Sequence, residues 1–196
     1  MNKELLSQLE NLEQSDIETR NRLLEEGKLY GAYDEEMQKV HRENAEALNK
    51  IIEKHGWPGI SKVGLEGSQS AWLIAQHAIC TPHLQRKFLE YMTRAAQSDD
   101  VPMKQIALLT DRIRFNEGKP QVYGTVLDWN ENGELTCELE DPEKVDERRA
   151  QVGLPPFEQS LQERRAEVEA EGGKPPENYK AYKQAASDWA KRVGWR

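Results

Sequence analysis

The sequence predicts a mainly α-helical protein of the α+β class: a helical domain with a two-stranded antiparallel hairpin and charged helical extensions. Most of the chain repeats apolar residues every three or four positions, which is helical spacing. From residue 121 to about 139 the period changes, and apolar and polar residues alternate on both sides of Asn132-Gly133. An Asn-Gly pair between alternating segments is a strong hairpin signal.

We expect three regions along the chain. Residues 1–33 form an N-terminal helical extension, in which Ser15 or Asp16 is predicted to cap a second helical segment. Residues 158–196 form a C-terminal extension of two charge-rich helices, at about 158–170 and 178–193.

The core domain is predicted to span residues 34–157. A loop is expected at 59–64, a strand at 121–129 pairs with one at 135–139, and a short helix follows Asp141. The longer predicted helices of this domain lie at 34–55, 68–80, 82–97 and 103–115.

The charge balance and hydropathy exclude two classes of partner. The formal net charge is −8, whereas a general nucleic-acid binder gathers Lys and Arg to neutralise phosphates, so we expect no nucleic-acid partner. No apolar run approaches the roughly 18 residues that span a bilayer, and the N-terminus lacks a signal-peptide pattern. We therefore expect no membrane partner and a cytoplasmic location.

The central predicted helix contains two polar residues, Gln76 and His77, within the otherwise apolar segment 72–78. A helix that is apolar on all sides is normally buried. A buried amide or imidazole costs about 1 to 3 kcal/mol unless it is hydrogen-bonded, so both side chains need partners.

A second polar pair, Asp111-Arg112, lies in a helix with Leu108 and Phe115 on the same side. This spacing predicts a partly buried ion pair. In a structural role, Arg112 would bridge helices or satisfy carbonyl groups. In a functional site, its planar guanidinium would hold a carboxylate or phosphate with two hydrogen bonds.

A third polar group lies in the predicted strand, where alternation places Gln121, Tyr123 and Thr125 on one face. Gly124 would permit a close approach of the backbone. This polar row faces either a cleft or solvent, because one face of an antiparallel hairpin is commonly solvated.

These segments together resemble a bacterial family known as domain of unknown function 6624, over roughly residues 34–157. The resemblance implies no particular activity, but its signature positions are polar as often as apolar, which suggests a shared site. The chain departs from the family at Val126, where a glutamine is frequent. The resemblance rests on Asn44, Gly56-Trp57-Pro58, Val63-Gly64, Ala71-Trp72-Leu73-Ile74-Ala75-Gln76-His77-Ala78, Asp111-Arg112, Gly118, Gln121, Tyr123-Gly124-Thr125, Val145-Asp146-Glu147-Arg148-Arg149 and Gly153-Leu154.

The polar groups could meet in one cleft and perform acid–base chemistry on a small anionic or carbonyl ligand. His77 would move the proton, Asp111 would orient His77 or Arg112, and Arg112 would bind negative charge. The predicted catalytic residues are His77, Asp111, Arg112 and Tyr123. The predicted substrate-binding residues are Gln76, Gln121, Thr125 and Arg149.

His77, Cys80 and His83 suggest a metal site, since a His-x-x-Cys step fits one helical turn and zinc accepts both ligand types. Pro82 is expected to break the helix before His83, and no second ligand pair lies nearby in the sequence. We therefore predict no metal ligands, and the sequence names no cofactor.

Two functions are compatible with these patterns. The first is an enzyme of hydrolase or transferase type, or a binder of a small anion, that uses the polar cleft. The second is a helical protein-interaction module in which the polar cluster is structural. The charged terminal helices favour the second and are candidates for forming a homodimer.

Overall fold

The structure is a computed structural model that describes residues 1–28 and 33–196. Residues 29–32, near the end of the predicted N-terminal extension, lie outside the described residues. By its internal contacts the chain divides into two units, Met1–Ile106 and Ala107–Arg196. The division into three regions stays a prediction.

The described ranges contain eight α-helices and one small sheet, which confirms the predicted mainly α fold with a hairpin. Single 3₁₀ turns lie at Ala78–Cys80 and Pro142–Lys144. In chain order the elements are α1 (Lys3–Glu25), α2 (Glu35–His55), α3 (Ile60–His77), α4 (Pro82–Ala96), α5 (Met103–Glu117), β1 (Asp128–Trp129), β2 (Leu135–Thr136), α6 (Val145–Gln151), α7 (Phe157–Ala170) and α8 (Tyr179–Val193). Among the described helices, none combines the length and the apolar character that crossing a membrane requires.

Helix α1 runs without interruption, so the predicted break at Ser15 or Asp16 is wrong. Its apolar face contacts α2 and α3 within the first unit. Leu5, Leu9 and Leu23 are buried on this face, and Asp16 continues their spacing and is buried with them. Asp16 is therefore a core residue of the helix instead of a cap.

Local signals set both ends of α2 as predicted. The Asp34 carboxylate accepts a hydrogen bond from the Glu36 amide at 2.8 Å, which satisfies a free N–H group at the helix start. Gly56 ends the helix with a φ of 69°, a left-handed value that glycine adopts at little cost.

Helix α3 begins at Ile60, so the predicted loop at 59–64 is wrong. Its first turn is capped by Asp100, a residue 40 positions later in the chain. The backbone oxygen of Asp100 accepts from the Ile60 amide at 3.1 Å, and the carboxylate accepts from the Ser61 amide at 2.6 Å. A kink follows at Gly64, where φ is 77° and ψ is 178°, and His77 is the last residue of the helix.

The hairpin forms around Asn132-Gly133 as predicted, with Asp128 opposite Thr136 and Trp129 opposite Leu135. Of the strands predicted at 121–129 and 135–139, only Asp128–Trp129 and Leu135–Thr136 form, so the strand predicted over 121–125 is wrong. Within this segment Gln121 forms an isolated bridge with Leu139, and residues 122–127 are an irregular loop.

The Asp111 carboxylate explains why this segment is a loop. Asp111 has no exposed surface and accepts hydrogen bonds from the backbone amides of Val122 at 2.8 Å, Tyr123 at 3.2 Å and Thr125 at 3.0 Å. The Thr125 hydroxyl donates to the same carboxylate at 3.1 Å. Amides that turn inwards to one side chain cannot pair with a neighbouring strand.

Two arginines of α6 hold the carbonyl groups of the same loop. Arg148 Nε donates to the Val122 oxygen at 2.8 Å, and Arg149 Nη1 donates to the Tyr123 oxygen at 2.6 Å. The loop also needs glycine at position 124, where φ is 66° and a Cβ atom would lie 2.5 Å from a ring carbon of Phe157. The loop at 121–126 is therefore bonded through both its amides and its carbonyls.

Within the second unit, helix α8 is joined to the hairpin through Asp128. The Tyr182 hydroxyl donates to this carboxylate at 2.5 Å, and Lys183 Nζ lies 3.1 Å from its other oxygen. Ala190 and Trp195 are buried, but most of the helix is exposed. A homodimer through the terminal helices stays a prediction.

We predict that Asp111→Asn lowers the free energy of unfolding by about 3 kcal/mol, because the new amide group cannot accept from all the buried donors. Urea unfolding monitored by circular dichroism measures this change. Asp188→Asn, which alters an exposed aspartate of α8, is the matched control and should change stability by less than about 0.5 kcal/mol. Equal unfolding midpoints for the two variants would contradict the role given to Asp111.

Candidate functional site

Three helices of the first unit bring Asp16, His41 and His77 together. Asp16 comes from the middle of α1, His41 from α2 and His77 from the end of α3. Asp16 Oδ2 lies 2.8 Å from His77 Nδ1 and 3.2 Å from His41 Nε2. One carboxylate oxygen thus contacts both imidazole rings, and we call these three residues the His/Asp cluster.

Hydrogen bonds near the cluster fix the three helices against one another. Asn44 Nδ2 on α2 donates to the Leu12 backbone oxygen on α1 at 2.9 Å. The Ser70 hydroxyl on α3 donates to the Glu13 carboxylate on α1 at 2.5 Å. Asn44 lies one turn from His41, and Leu12 and Glu13 lie one turn from Asp16. These contacts therefore support the positions of the two side chains.

Exposure differs strongly within the cluster. The side chain of Asp16 is 3% exposed and that of His41 is 9% exposed, whereas that of His77 is 33% exposed. The cluster is therefore closed at Asp16 and His41 and open at His77. A molecule arriving from solvent would meet the His77 ring.

Burial and contacts determine the charges of Asp16 and His41, the two buried residues of the cluster. Burial raises the pKa of Asp16, but the contacts with His41 and His77 lower this pKa well below the ordinary aspartate value, so the carboxylate is ionised. Burial lowers the pKa of His41 more than Asp16 raises it, which favours a neutral ring. The cluster therefore joins a buried carboxylate to a neutral imidazole on its sealed side.

Tyr33 extends the cluster behind His41. Its hydroxyl forms a short hydrogen bond with His41 Nδ1, and the two ring centroids are 5.7 Å apart. Burial raises the pKa of Tyr33 far above its ordinary value, so the hydroxyl keeps its proton. Tyr33, His41, Asp16 and His77 consequently form one continuous series of polar contacts that ends at the His77 ring.

The cluster also has the composition of a metal site. Its ligand atoms, one from each residue, all lie within 4.8 Å of one another. His41 Nε2 is buried, and its N–H direction is not aligned with Asp16, so it makes no hydrogen bond among the described residues despite the 3.2 Å separation. Two imidazoles and a carboxylate are a common ligand set for zinc and non-haem iron.

The sequence-predicted residue Gln76 lies beside His77 but is buried. Its backbone oxygen accepts from the Gln85 side chain at 3.0 Å, and Gln85 also donates to the Ala75 oxygen at 2.7 Å. Gln85 therefore supports the end of α3, where His77 lies. The side-chain oxygen of Gln76 has no hydrogen-bond partner within the described ranges.

The other predicted site residues lie in the second unit, and most of them form hydrogen bonds within or to its loop at 121–126. Gln121 donates to the Val126 backbone oxygen at 2.6 Å and accepts from the Val126 amide at 2.9 Å. Arg149 also donates to the Pro155 oxygen and the Ser160 hydroxyl, both at 2.6 Å. Asp111 and Thr125 bond to each other. The side chains of Gln121, Thr125 and Arg149 are therefore occupied by the protein itself.

The predicted ion pair between Asp111 and Arg112 is wrong in the part of the chain that the structure describes. The Asp111 oxygens accept from backbone amides, and Arg112 forms no salt bridge with any described residue. Tyr123 is half-buried, and burial followed by the charge of Asp111 raises its pKa. Catalytic roles for Asp111, Arg112 and Tyr123, and substrate binding by the others, stay predictions.

Sequence reasoning missed Asp16 and His41, although both carry a signal. Asp16 follows Leu5, Leu9 and Leu12 at steps of four, three and four residues, so it falls on the apolar face of α1. His41 falls likewise between Met37 and the apolar residues that end α2. A charged residue at a core position of a helix indicates a buried partner, and that spacing could have identified both residues.

Comparison with known proteins places the chain in a family without giving an activity. No curated protein and no solved structure matches it. Residues 3–172 match the family of unknown function DUF6624, and this span includes the whole His/Asp cluster and the loop at 121–126. The match covers most of the 196 residues. The chain therefore belongs to the domain of unknown function 6624 family.

Proposed function

We propose that the protein is an enzyme of hydrolase or transferase type whose acid–base centre is the His/Asp cluster. One observation carries the proposal: the sealed carboxylate of Asp16 holds a histidine, His77, that keeps 33% of its side chain exposed. A purely structural network has no need to present one of its imidazoles to solvent. An oriented and accessible imidazole is the usual general base of enzymes.

The contact with Asp16 sets the chemistry of His77. With His77 Nδ1 as donor to Asp16 Oδ2, the Nε2 atom carries a lone pair and can accept a proton. We propose that Nε2 takes the proton of a water or hydroxyl group as its oxygen attacks a carbonyl or phosphoryl centre. The same proton then passes to the leaving group as its bond breaks. Asp16 stabilises the intermediate imidazolium.

His41 and Tyr33 act as positioning residues in this proposal, because the His41 side chain is buried and the Tyr33 hydroxyl is hydrogen-bonded to it. His41 packs against His77 with ring centroids 5.0 Å apart and an interplanar angle of 35°. His41 contacts Asp16 on the side away from solvent, and Tyr33 fixes the His41 ring from behind. The orientation of Asp16, and through it that of His77, depends on both.

We predict that His77→Gln and Asp16→Asn each slow catalysis by about 100- to 10,000-fold, which is the usual contribution of a positioned acid–base group. The measurement is release of p-nitrophenol from its acetate and phosphate esters by the full chain. His83→Gln makes the same chemical change at an exposed histidine of α4 and should leave the rate unchanged. Circular dichroism checks that each variant is folded.

Two results would oppose this proposal. The first is that the unaltered protein releases no p-nitrophenol from either ester. The second is that folded His77→Gln protein keeps the unaltered rate, in which case the His/Asp cluster is a structural network and the interaction-module function is favoured.

A second candidate function is metal-assisted hydrolysis at the same three residues. Nitrogen and oxygen ligands about 2.0 to 2.2 Å from a tetrahedral ion lie about 3.3 Å apart. The 3.2 Å between Asp16 and His41 matches this spacing, and His41 Nε2 lacks an aligned hydrogen bond. The 2.8 Å contact between Asp16 and His77 instead suits a hydrogen bond, which is why acid–base chemistry is the first candidate.

Metal analysis separates the two candidates. If the cluster holds an ion, protein purified without a metal-affinity tag and then incubated with Zn²⁺ should retain about one ion per chain after dialysis. His41→Ala should abolish this retention, whereas His83→Ala should not. Equal zinc content in the unaltered protein and in His41→Ala would exclude this site.

A further inference from the structure

Arg112 is a cation without a partner in the described part of the chain. It forms no hydrogen bond and no ion pair, and its Nε atom is sealed from solvent with nothing to donate to. Burial lowers the pKa of its guanidinium below the ordinary arginine value. A buried N–H group without an acceptor is unfavourable, because the hydrogen bond that it made to water is not replaced.

Two other arginines of the second unit show how this protein normally satisfies a buried guanidinium. Arg149 is buried and donates to two backbone oxygens and one hydroxyl within 2.6 Å. Arg148 donates to three backbone oxygens within 3.0 Å. Arg112 differs from both, because no described residue accepts a hydrogen bond from its buried Nε atom.

The neighbouring carboxylate cannot fill this need. Asp111 directly precedes Arg112 in α5, but both of its oxygens accept hydrogen bonds from the loop at 121–126. Residues adjacent on a helix also point about 100° apart, so their side chains do not face each other. Asp111 therefore does not supply an acceptor for the buried Arg112 Nε atom.

We infer that Arg112 is the recognition group of a binding site for a small oxyanion, either a phosphate group or a carboxylate. Arg112 is only half-buried, so its side chain can be reached from solvent. A guanidinium presents a planar set of donors that matches two oxygens of such an anion. The bound anion supplies the negative charge and the hydrogen-bond acceptors that the Arg112 guanidinium lacks within the described chain. This inference does not depend on the acid–base chemistry of the His/Asp cluster.

Isothermal titration calorimetry of the full chain with inorganic phosphate, and separately with acetate, tests the site. The unaltered protein should bind at least one of the two anions, and which one it prefers identifies the oxyanion. Arg112→Met should weaken that binding by about tenfold or more. Arg192→Met removes the same charge from an exposed position of α8 and should bind as the unaltered protein does.

Arg112→Lys keeps the positive charge but loses the planar pair of donors. It replaces Arg112→Met in the titration if that variant does not fold. It should bind the anion several-fold more weakly than the unaltered protein. The inference is overturned if the unaltered protein binds neither anion, or if the folded Arg112 variants bind as tightly as the unaltered protein. A guanidinium with a purely structural role would change the melting temperature of these variants and leave their anion affinity alone.

Discussion

The buried carboxylate of Asp16 is the constraint on which the first unit depends. An ionised carboxylate in an apolar core is unfavourable unless opposed donors surround it. Here the His77 imidazole of α3 hydrogen-bonds to the carboxylate, and the His41 imidazole of α2 lies 3.2 Å from the same oxygen. The need to place both rings against one oxygen fixes how far each helix can slide or rotate along α1. Packing of leucines alone would tolerate more than one arrangement.

The second unit stabilises a buried carboxylate with a different set of donors. Asp111 is also a buried carboxylate, but its donors are backbone amides and a hydroxyl of one loop. All of its contacts are internal and sealed. The comparison separates two uses of a buried acid: Asp111 shapes the backbone and presents nothing to solvent, whereas Asp16 orients a side chain that remains accessible.

The parts of the fold that the sequence predicted are those set by neighbouring residues. The ends of α2 follow from Asp34 and Gly56, and the hairpin follows from Asn132-Gly133. The failures have distant causes. The first turn of α3 depends on Asp100. The segment 121–125 alternates like a strand in the sequence but forms a loop, because its amides turn towards Asp111. In the candidate site, His77 was predicted from its own helix, but its partner lies 61 residues earlier.

The side chains of the His/Asp cluster differ in exposure, so the cluster meets solvent at His77. The side chains of Asp16 and His41 are buried, and the Tyr33 hydroxyl behind them keeps its proton. Among Asp16, His41 and His77, the side chain of His77 is the most exposed. In the proposed reaction, the attacking and leaving groups therefore exchange their proton with the same His77 imidazole, one after the other. The unequal burial of the three side chains thus determines which of them handles the proton in both steps.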